Sequence, residues 1–145
     1  MQIQVSTNKS LLDIDLIHKY LSESSTWALG ISKQTVEVSI KNSLCFGVYD
    51  QSSGQQVAFA RIITDEATFA NLVDVFVLDK YQGLGISNEL MRVVMAHPSV
   101  ANVRRCTLVT STAPWLYRKF GFDRLNYPDT HMEIWKKDIY KIRKS

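Results

Sequence analysis

A glycine turn between an apolar strand and an amphipathic helix is the part of this chain with the clearest chemical meaning. The turn reads Gln82-Gly83-Leu84-Gly85-Ile86-Ser87, and the segment around it, residues 71–96, reads NLVDVFVLDKYQGLGISNELMRVVMA. Successive backbone N–H groups in such a turn, at the N-terminus of a helix, form a binding site for phosphate oxygens. The sequence therefore predicts a cofactor that carries a pyrophosphate group.

Two familiar phosphate-binding motifs fit this turn poorly. A P-loop needs the pattern GxxxxGK[ST], which the chain does not contain. A dinucleotide-binding turn needs G-x-G-x-x-G near the start of a βαβ series, but Asn88 stands where the third glycine belongs and a predicted hairpin precedes the turn. A different class of cofactor-binding protein is indicated.

The turn and a second segment together resemble the GNAT superfamily of N-acetyltransferases. Its acetyl-CoA turn reads Gln/Arg-x-x-Gly-x-Gly/Ala, which residues 82–87 match except that Ser87 replaces Gly or Ala. The superfamily often carries an Asn and then Ala-x-x-Leu-Tyr-x-x-x-Gly-Phe. Residues 113–122 read APWLYRKFGF, with Thr110 at the position of the Asn. The resemblance covers most of the chain and is to small bacterial members of the superfamily.

This resemblance implies a single N-acetyltransferase domain over residues 1–145 that uses acetyl-CoA as its acetyl donor. The acetyl group would move by direct attack on the thioester, to a primary amine of a small molecule or a peptide. The pyrophosphate would bind the glycine turn, and the pantetheine arm would pair with backbone exposed by a bulge in the central strand. The implied cofactor-binding residues are Val75, Phe76, Val77, Gln82, Gly83, Leu84, Gly85, Ile86, Ser87, Thr110, Ala113 and Tyr117.

Tyr117 and Asp74 are the residues that we expect to move protons. A phenol with a pKa near 10 matches an alkyl thiolate leaving group, and Tyr117 lies where the superfamily has its acid tyrosine. Asp74 lies within an apolar strand, where a carboxylate needs either a partner or a catalytic purpose. Asp74 is therefore the candidate base, with a structural hydrogen-bonding role as the alternative.

The amine acceptor would be bound by the first two helices, the loop between them and the ends of the hairpin. The candidate substrate-binding residues are Trp27, Arg61 and Phe69. Arg61 lies inside an apolar strand, so it either meets an acidic group of the acceptor or pairs with Asp65 or Asp74.

Hydrophobic periodicity predicts an α+β fold. Together with the resemblance, it indicates a GNAT fold whose mixed, mostly antiparallel and twisted sheet has six to seven strands, splayed at the centre and flanked by about four helices. The predicted strands are residues 3–6, 44–50, 56–64, 72–78, 103–109, 122–125 and 132–136. The predicted helices are residues 10–23, 32–42, the segment from the glycine turn to residue 96, and 114–119.

Composition argues against several other classes of protein. The net charge of +3 is mild and is concentrated in the C-terminal tail, so nucleic-acid binding has little support. No apolar run approaches the ~18 residues of a membrane span and the N-terminus does not resemble a signal peptide, so we expect a cytoplasmic protein without a membrane partner. Cys45 and Cys106 are expected to be free thiols, and the scattered histidines predict no metal site.

Two other functions stay open at the level of sequence. The same fold and cofactor site could belong to a non-catalytic acyl-CoA-binding or regulatory domain, which would bind the cofactor without turnover. A small nucleic-acid-binding domain using the basic tail would show an affinity that falls steeply with salt. Many relatives in the superfamily are dimers, so a homodimer formed through the predicted C-terminal strands is a further expectation.

Overall fold

A five-stranded mixed sheet organises residues 1–142, the part of the chain that the computed structural model describes. The strands are β1 Ile3–Ser6, β2 Leu44–Asp50, β3 Gln56–Thr64, β4 Phe69–Val77 and β5 Arg105–Leu108. They lie in the order β1-β2-β3-β4-β5. All neighbours are antiparallel except β4 and β5, which are parallel. The α+β class and the mostly antiparallel sheet were correctly predicted.

Within the same range, six α-helices pack around this sheet. They are α1 Ile14–Lys19, α2 Lys33–Lys41, α3 Ile86–Ala96, α4 Pro98–Ala101, α5 Pro114–Arg118 and α6 Ile139–Ile142. The helix predicted over residues 10–23 is in fact three pieces, because a 3-10 turn precedes α1 and a π-helical turn, Tyr20–Ser24, follows it. The side chain of Asp13 accepts a hydrogen bond from the N–H of Leu16 and caps the N-terminus of α1.

The core has two layers, one on each face of the sheet. On one face α3 and α4 pack through apolar side chains against β2, β3 and β4. On the other face α1 and α2 cover Cys45, Phe59 and Phe76. Tyr20 stacks on the ring of Phe76, with ring centroids 4.0 Å apart. The sheet is therefore a rigid support that is covered on both sides.

A β-bulge in β4 changes which residues face each layer. Arg61 of β3 pairs with Val73 and Phe59 pairs with Phe76, so Asp74 and Val75 together oppose one residue of β3. Before the bulge Leu72 belongs to the layer with α3; after it, Val75 does. This irregularity lies in the strand for which the resemblance implied a bulge.

The strands predicted over residues 122–125 and 132–136 are wrong, and the expected six to seven strands and four helices are five and six in the described range. Residues 131–136 are extended, but their alternating apolar side chains face solvent: Met132 is 97% exposed and Ile134 is 93% exposed. Alternation produces a strand only where another strand offers hydrogen bonds, and this segment has no such neighbour in residues 1–142. Of the basic tail, Arg143 and Lys144 lie outside the described residues.

No helix of the described part of the chain is both long enough and apolar enough to cross a membrane.

Candidate active site

The glycine turn forms a corner at which main-chain N–H groups point away from their own chain. Gly83 and Gly85 have φ angles of +79° and +81°, which only glycine adopts without strain. Gly85 is the N-cap of α3 and makes no side-chain cap. No atom of residues 1–142 accepts a hydrogen bond from the N–H groups of residues 83–88.

Two buried side chains fix the turn in place. Tyr81 ends the 3-10 turn Asp79–Tyr81 and is 9% exposed, and Ile86 begins α3 and is 3% exposed. Between them the turn itself is exposed. The Gln82 side chain donates a hydrogen bond to the carbonyl oxygen of Val77, at 3.1 Å, and so ties the turn to the end of β4. The buried side chains of Tyr81 and Ile86 anchor the two ends of the turn, and the residues between them are exposed to solvent. This arrangement suits the binding of an anionic group.

The strand that leads to this corner has an open edge. The parallel pairing of β4 with β5 begins at Phe69 and Arg105 and ends at Leu72 and Leu108. β4 continues to Val77, so its last five residues, 73–77, have no partner strand on the β5 side in residues 1–142. These five residues include the bulge and the predicted cofactor-binding residues 75–77. An extended amide chain can therefore pair along this edge.

Asp74 lies at the bulge and is fully engaged by its neighbours. Its φ of +54° is left-handed, which is uncommon for a residue other than glycine. Its Oδ1 accepts a hydrogen bond from Trp27 Nε1 at 2.8 Å, and its Oδ2 accepts one from Arg61 Nε at 2.9 Å. Arg61 also donates through Nη1 to Ser43 Oγ at 3.0 Å. The candidate base and two of the candidate substrate-binding residues thus form one cluster.

The cluster connects the bulge with the loop between α1 and α2, which carries Trp27. The side chains of Arg61 and Asp74 are 14% and 10% exposed, so their ion pair is largely shielded from water. Trp27 remains 51% exposed on the surface of this loop. Arg61 was expected either to meet an acidic group of the acceptor or to pair with Asp65 or Asp74. In the structure it pairs with Asp74. No pattern in the sequence indicates Ser43, because its contact with Arg61 depends on the register of β2 against β3.

Tyr117 lies on α5, in the layer of the core that contains α3. Its ring packs against the same apolar cluster as Val75, Val77 and Leu108, and it meets the ring of Phe122 edge-on. Burial raises the pKa of the Tyr117 phenol above 10.0. The phenol therefore keeps its proton at neutral pH.

Thr110 and Ala113 lie in the loop that connects β5 with α5. The hydroxyl oxygen of Thr110 accepts a hydrogen bond from the N–H of Ala113, the N-cap of α5, at 3.1 Å. Thr110 thus fixes the start of the helix that carries Tyr117. Its hydroxyl proton remains available to a ligand.

Phe69 lies apart from the other predicted substrate-binding residues. It is the first residue of β4 and pairs with Arg105, whereas Trp27 and Arg61 meet Asp74 near the other end of the strand. Phe69 and Asp74 are five positions apart along the strand, a distance of about 16 Å. Both cysteines are free thiols, and the described residues contain no group of three His, Cys, Asp or Glu side chains that could hold a metal ion.

The fold and the site together define an α+β protein with an exposed glycine turn, whose N–H groups lack acceptors in residues 1–142, at the end of a bulged, half-open central strand. The profile of the acetyltransferase (GNAT) domain matches residues 41–124, which is more than half of the chain. The chain therefore belongs to the GNAT acetyltransferase family.

Individual relatives agree with this assignment. The crystal structure of a GNAT-family protein from Xanthomonas campestris pv. campestris, assigned as an acetyltransferase, is 47% identical, with a TM-score of 0.93 and 97% of each chain covered. A protein from Gibberella zeae with the same assignment is 29% identical over 79% of this chain and 75% of its own length. A Staphylococcus aureus protein of unknown function shares the fold, at 24% identity and a TM-score of 0.70, over 93% of this chain and 99% of its own.

Proposed function

We propose that this protein is an acetyl-CoA-dependent N-acetyltransferase that acts on a primary amine of a small molecule or a peptide. The observation that carries the proposal is the corner after β4, where the N–H groups of residues 83–88 have no acceptor in the described chain. This corner adjoins the open edge of residues 73–77. A pyrophosphate at the corner would leave its attached chain running along that edge, toward Tyr117.

Open space at the corner supports the assignment of a phosphate group there. A Cβ atom placed on Gly83 or on Gly85 would meet no atom within 4 Å, so the space before the turn is open. The N-terminus of α3 adds a favourable interaction of about 0.3–1 kcal/mol with an anion, and the N–H groups add directional hydrogen bonds. We assign the pyrophosphate to residues 82–87.

Acetyl-CoA would supply the thioester, and this chain would supply the positioning and the proton. The backbone of Val75, Phe76 and Val77 would pair with the pantetheine amides. A backbone N–H there would also polarise the thioester oxygen, and one well-placed donor of that kind is worth about 3 kcal/mol. Tyr117, protonated at neutral pH because burial raises its pKa, would give its proton to the thiolate as the C–S bond breaks. The proton that the amine loses as the C–N bond forms would pass to solvent, and solvent would return a proton to Tyr117.

We assign Asp74 a positioning role in place of the catalytic role that the sequence suggested. Both of its carboxylate oxygens already accept hydrogen bonds, from Trp27 and Arg61. Its carboxylate holds the loop between α1 and α2 against the central strand, and this loop would form one wall of the amine site. Trp27 is then the residue of this cluster with the most surface to offer an acceptor.

The test measures CoA binding and thiol release with the purified chain. Calorimetry with CoA and thiol release from acetyl-CoA over a panel of amines should give both binding and turnover. Tyr117→Phe should lower kcat about ten-fold or more with little change in CoA affinity. Tyr127→Phe is the matched control, because Tyr127 is 73% exposed and lies outside the site, and it should change neither quantity.

Three results would count against the proposal. Absence of CoA binding would remove the cofactor. Binding without turnover over a broad amine panel would favour the acyl-CoA-binding domain. Unchanged kcat in Tyr117→Phe would remove this tyrosine from the reaction and leave the rest of the proposal standing.

A further inference from the structure

One part of the sheet stays exposed on the side that α1 and α2 cover elsewhere. Alternation along the strands places six side chains on this area, which we call the open face: Ile63 of β3, Phe69, Asn71 and Val73 of β4, and Arg105 and Thr107 of β5. The residues that alternate with them, such as Leu72 and Cys106, pack in the layer of α3. Ile63 and Phe69 are 45% and 41% exposed and belong to neither apolar layer. The open face is therefore available to a ligand.

A polar pair lies at the centre of the open face. Asn71 pairs with Ile63 on one side and with Thr107 on the other. Asn71 Nδ2 donates a hydrogen bond to Thr107 Oγ1 at 2.8 Å. Within residues 1–142 neither side chain makes another hydrogen bond, so the hydroxyl of Thr107 can still donate and Oδ1 of Asn71 can still accept. A peptide group carries one acceptor and one donor, so it is complementary to this pair.

A positive charge marks one end of the open face. Arg105 pairs with Phe69, the first residue of β4, and is exposed. Its Nη1 lies 3.1 Å from Nε2 of His131, and no carboxylate of residues 1–142 forms an ion pair with it. Asp65, in the loop before Phe69, is occupied by hydrogen-bond donors of that same loop. Arg105 therefore suits a carboxylate of a ligand.

The other end of the open face adjoins the site of the proposed reaction. The pairing of β4 with β5 ends at Leu72 and Leu108, so the two strands stop pairing one residue after Asn71. Val73 is the next residue on the open face, and the bulge with Asp74 follows it. Val73 is four positions from Phe69 along the strand, a distance of about 13 Å. An amine at Val73 and a carboxylate at Arg105 are thus separated by the length of about four or five extended residues.

We propose that the amine acceptor is a peptide of about four or five residues, with its extended backbone along β4, its N-terminal amine at Val73 and its C-terminal carboxylate at Arg105. This inference rests on the proposed N-acetyltransferase function and names the class of acceptor. The N-terminal nitrogen would form a C–N bond with the acetyl carbon as the C–S bond breaks. The thiolate would take the proton of Tyr117, and the amine would lose its proton to solvent.

Charge complementarity selects this occupant. One end of the open face is cationic, and the reaction needs a free amine at the other end. A free peptide has a carboxylate and an amine at its two ends, and a peptide group between them to meet Asn71 and Thr107. A small amine without a carboxylate would reach neither this pair nor Arg105.

The test compares free peptides of alanine and valine, about two to six residues long, as acceptors for the full chain. Thiol release from acetyl-CoA gives kcat/KM for each peptide. We expect kcat/KM to rise at least about 100-fold from the dipeptide to the pentapeptide and to rise no further with a sixth residue. A pentapeptide with lysine at its centre offers both kinds of amine, and mass spectrometry should find the acetyl group on the N-terminal nitrogen.

Replacement of Arg105 tests the contact with the carboxylate. Amidation of the C-terminus of the pentapeptide should lower kcat/KM about ten-fold in the wild type, because it removes a charge-assisted hydrogen bond. In Arg105→Gln the free and the amidated peptide should have kcat/KM values within about two-fold of each other. Calorimetry with CoA shows that this variant folds. Arg92→Gln is the matched control, because Arg92 is exposed on α3, on the opposite face of the sheet, and it should keep the preference for the free peptide.

The outcomes separate this inference from the proposed function. Turnover of small amines without dependence on peptide length would overturn the inference and leave the proposed function standing. Acetylation of the central lysine in preference to the N-terminus would do the same, and so would a preference for the free carboxylate that Arg105→Gln does not change. Absence of turnover with every amine and peptide would overturn both together.

Discussion

Replacement of Asp74 with asparagine separates a positioning role from a catalytic one. Asparagine tolerates the left-handed backbone that Asp74 adopts, with φ of +54°, so the bulge can remain. The amide oxygen can still accept one hydrogen bond, from Trp27 or from Arg61. The negative charge is lost, and Arg61, whose side chain is 14% exposed, keeps a positive charge without a counter-ion.

The size of the effect follows from the burial of the pair. Removal of one partner of a buried ion pair destabilises a protein by about 3–5 kcal/mol. The hydrogen bond that asparagine retains returns about 1 kcal/mol. Asp74→Asn should therefore lower the free energy of unfolding by about 2–4 kcal/mol, and Arg61→Met by about 3–5 kcal/mol. The double variant, Asp74→Asn with Arg61→Met, leaves no buried charge in this pair. Its free energy of unfolding should therefore be about 2 kcal/mol higher than the sum of the two single effects predicts.

Urea unfolding of the wild type, the two single variants and the double variant measures this coupling. Asp15→Asn is the control, because Asp15 pairs with Lys33 at 2.7 Å in an exposed position, where loss of a charge should change stability little. Additive effects in the double variant, or an Asp74→Asn variant within about 0.5 kcal/mol of the wild type, would refute the ion-pair argument.

Steady-state kinetics of Asp74→Asn then tests the role in the reaction. A positioning residue predicts a higher KM for the amine, because the loop that carries Trp27 loses its attachment, with kcat reduced less than about ten-fold. A general base predicts a fall in kcat of at least about 100-fold and loss of the acidic limb of the pH–rate profile. The second pattern would return Asp74 to the catalytic role that the sequence suggested.

Three further predictions concern the turn and β2. Gly85→Ala, at φ +81°, should cost about 1–2 kcal/mol of stability and weaken CoA binding in calorimetry. Its control, Gly54→Ala, has a φ of +75° in the β2–β3 turn and should cost as much stability but leave CoA affinity intact. Equal CoA affinity in the two variants would contradict the pyrophosphate site. The buried hydroxyl of Tyr49 has no hydrogen-bond partner among residues 1–142, so Tyr49→Phe should match the wild type or exceed it by up to about 1 kcal/mol in urea unfolding at neutral pH. Burial raises the pKa of Tyr49 from 10.0 to about 12, so the unfolded chain ionises first as the pH rises. At pH 11 the wild type should thereby lose about 1.4 kcal/mol that Tyr49→Phe keeps, and identical pH dependence in the two proteins would contradict this. Gly47→Ala would place a Cβ against the ring and hydroxyl of Tyr49 and should cost about 1–3 kcal/mol in the same assay; stability equal to that of the wild type would contradict this packing.

The elements whose signals are local were predicted to within a few residues. β1, β2 and β3 have the predicted bounds, and α2 begins and ends within one residue of the prediction. Alternation and turn residues define such elements without reference to the rest of the chain. The glycine turn was also predictable from a local signal, because its two left-handed φ angles require glycine wherever the turn lies in the fold.

Features that depend on contacts between distant parts of the chain could not be predicted from local sequence patterns. The carboxylate of Asp74 faces Trp27 and Arg61 only because the bulge changes the direction of the side chains along β4, and the bulge follows from the register against β3. Residues 132–136 alternate as a strand would, but they form no strand, because alternation does not show whether a neighbouring strand is present to pair with.

The bulge adds one residue to β4, and the contacts around Asp74 depend on this extra residue. Ala70 and Leu72 before it, and Val75 and Val77 after it, all contact the layer of α3, although one pair has even numbers and the other has odd numbers. Deletion of Asp74 would restore ordinary alternation and a continuous ladder against β3, with Val75 and Val77 still in the layer of α3 and Phe76 still against Tyr20. Both core layers are therefore compatible with a β4 that is one residue shorter. The part that the deletion would remove is the carboxylate that Trp27 and Arg61 contact.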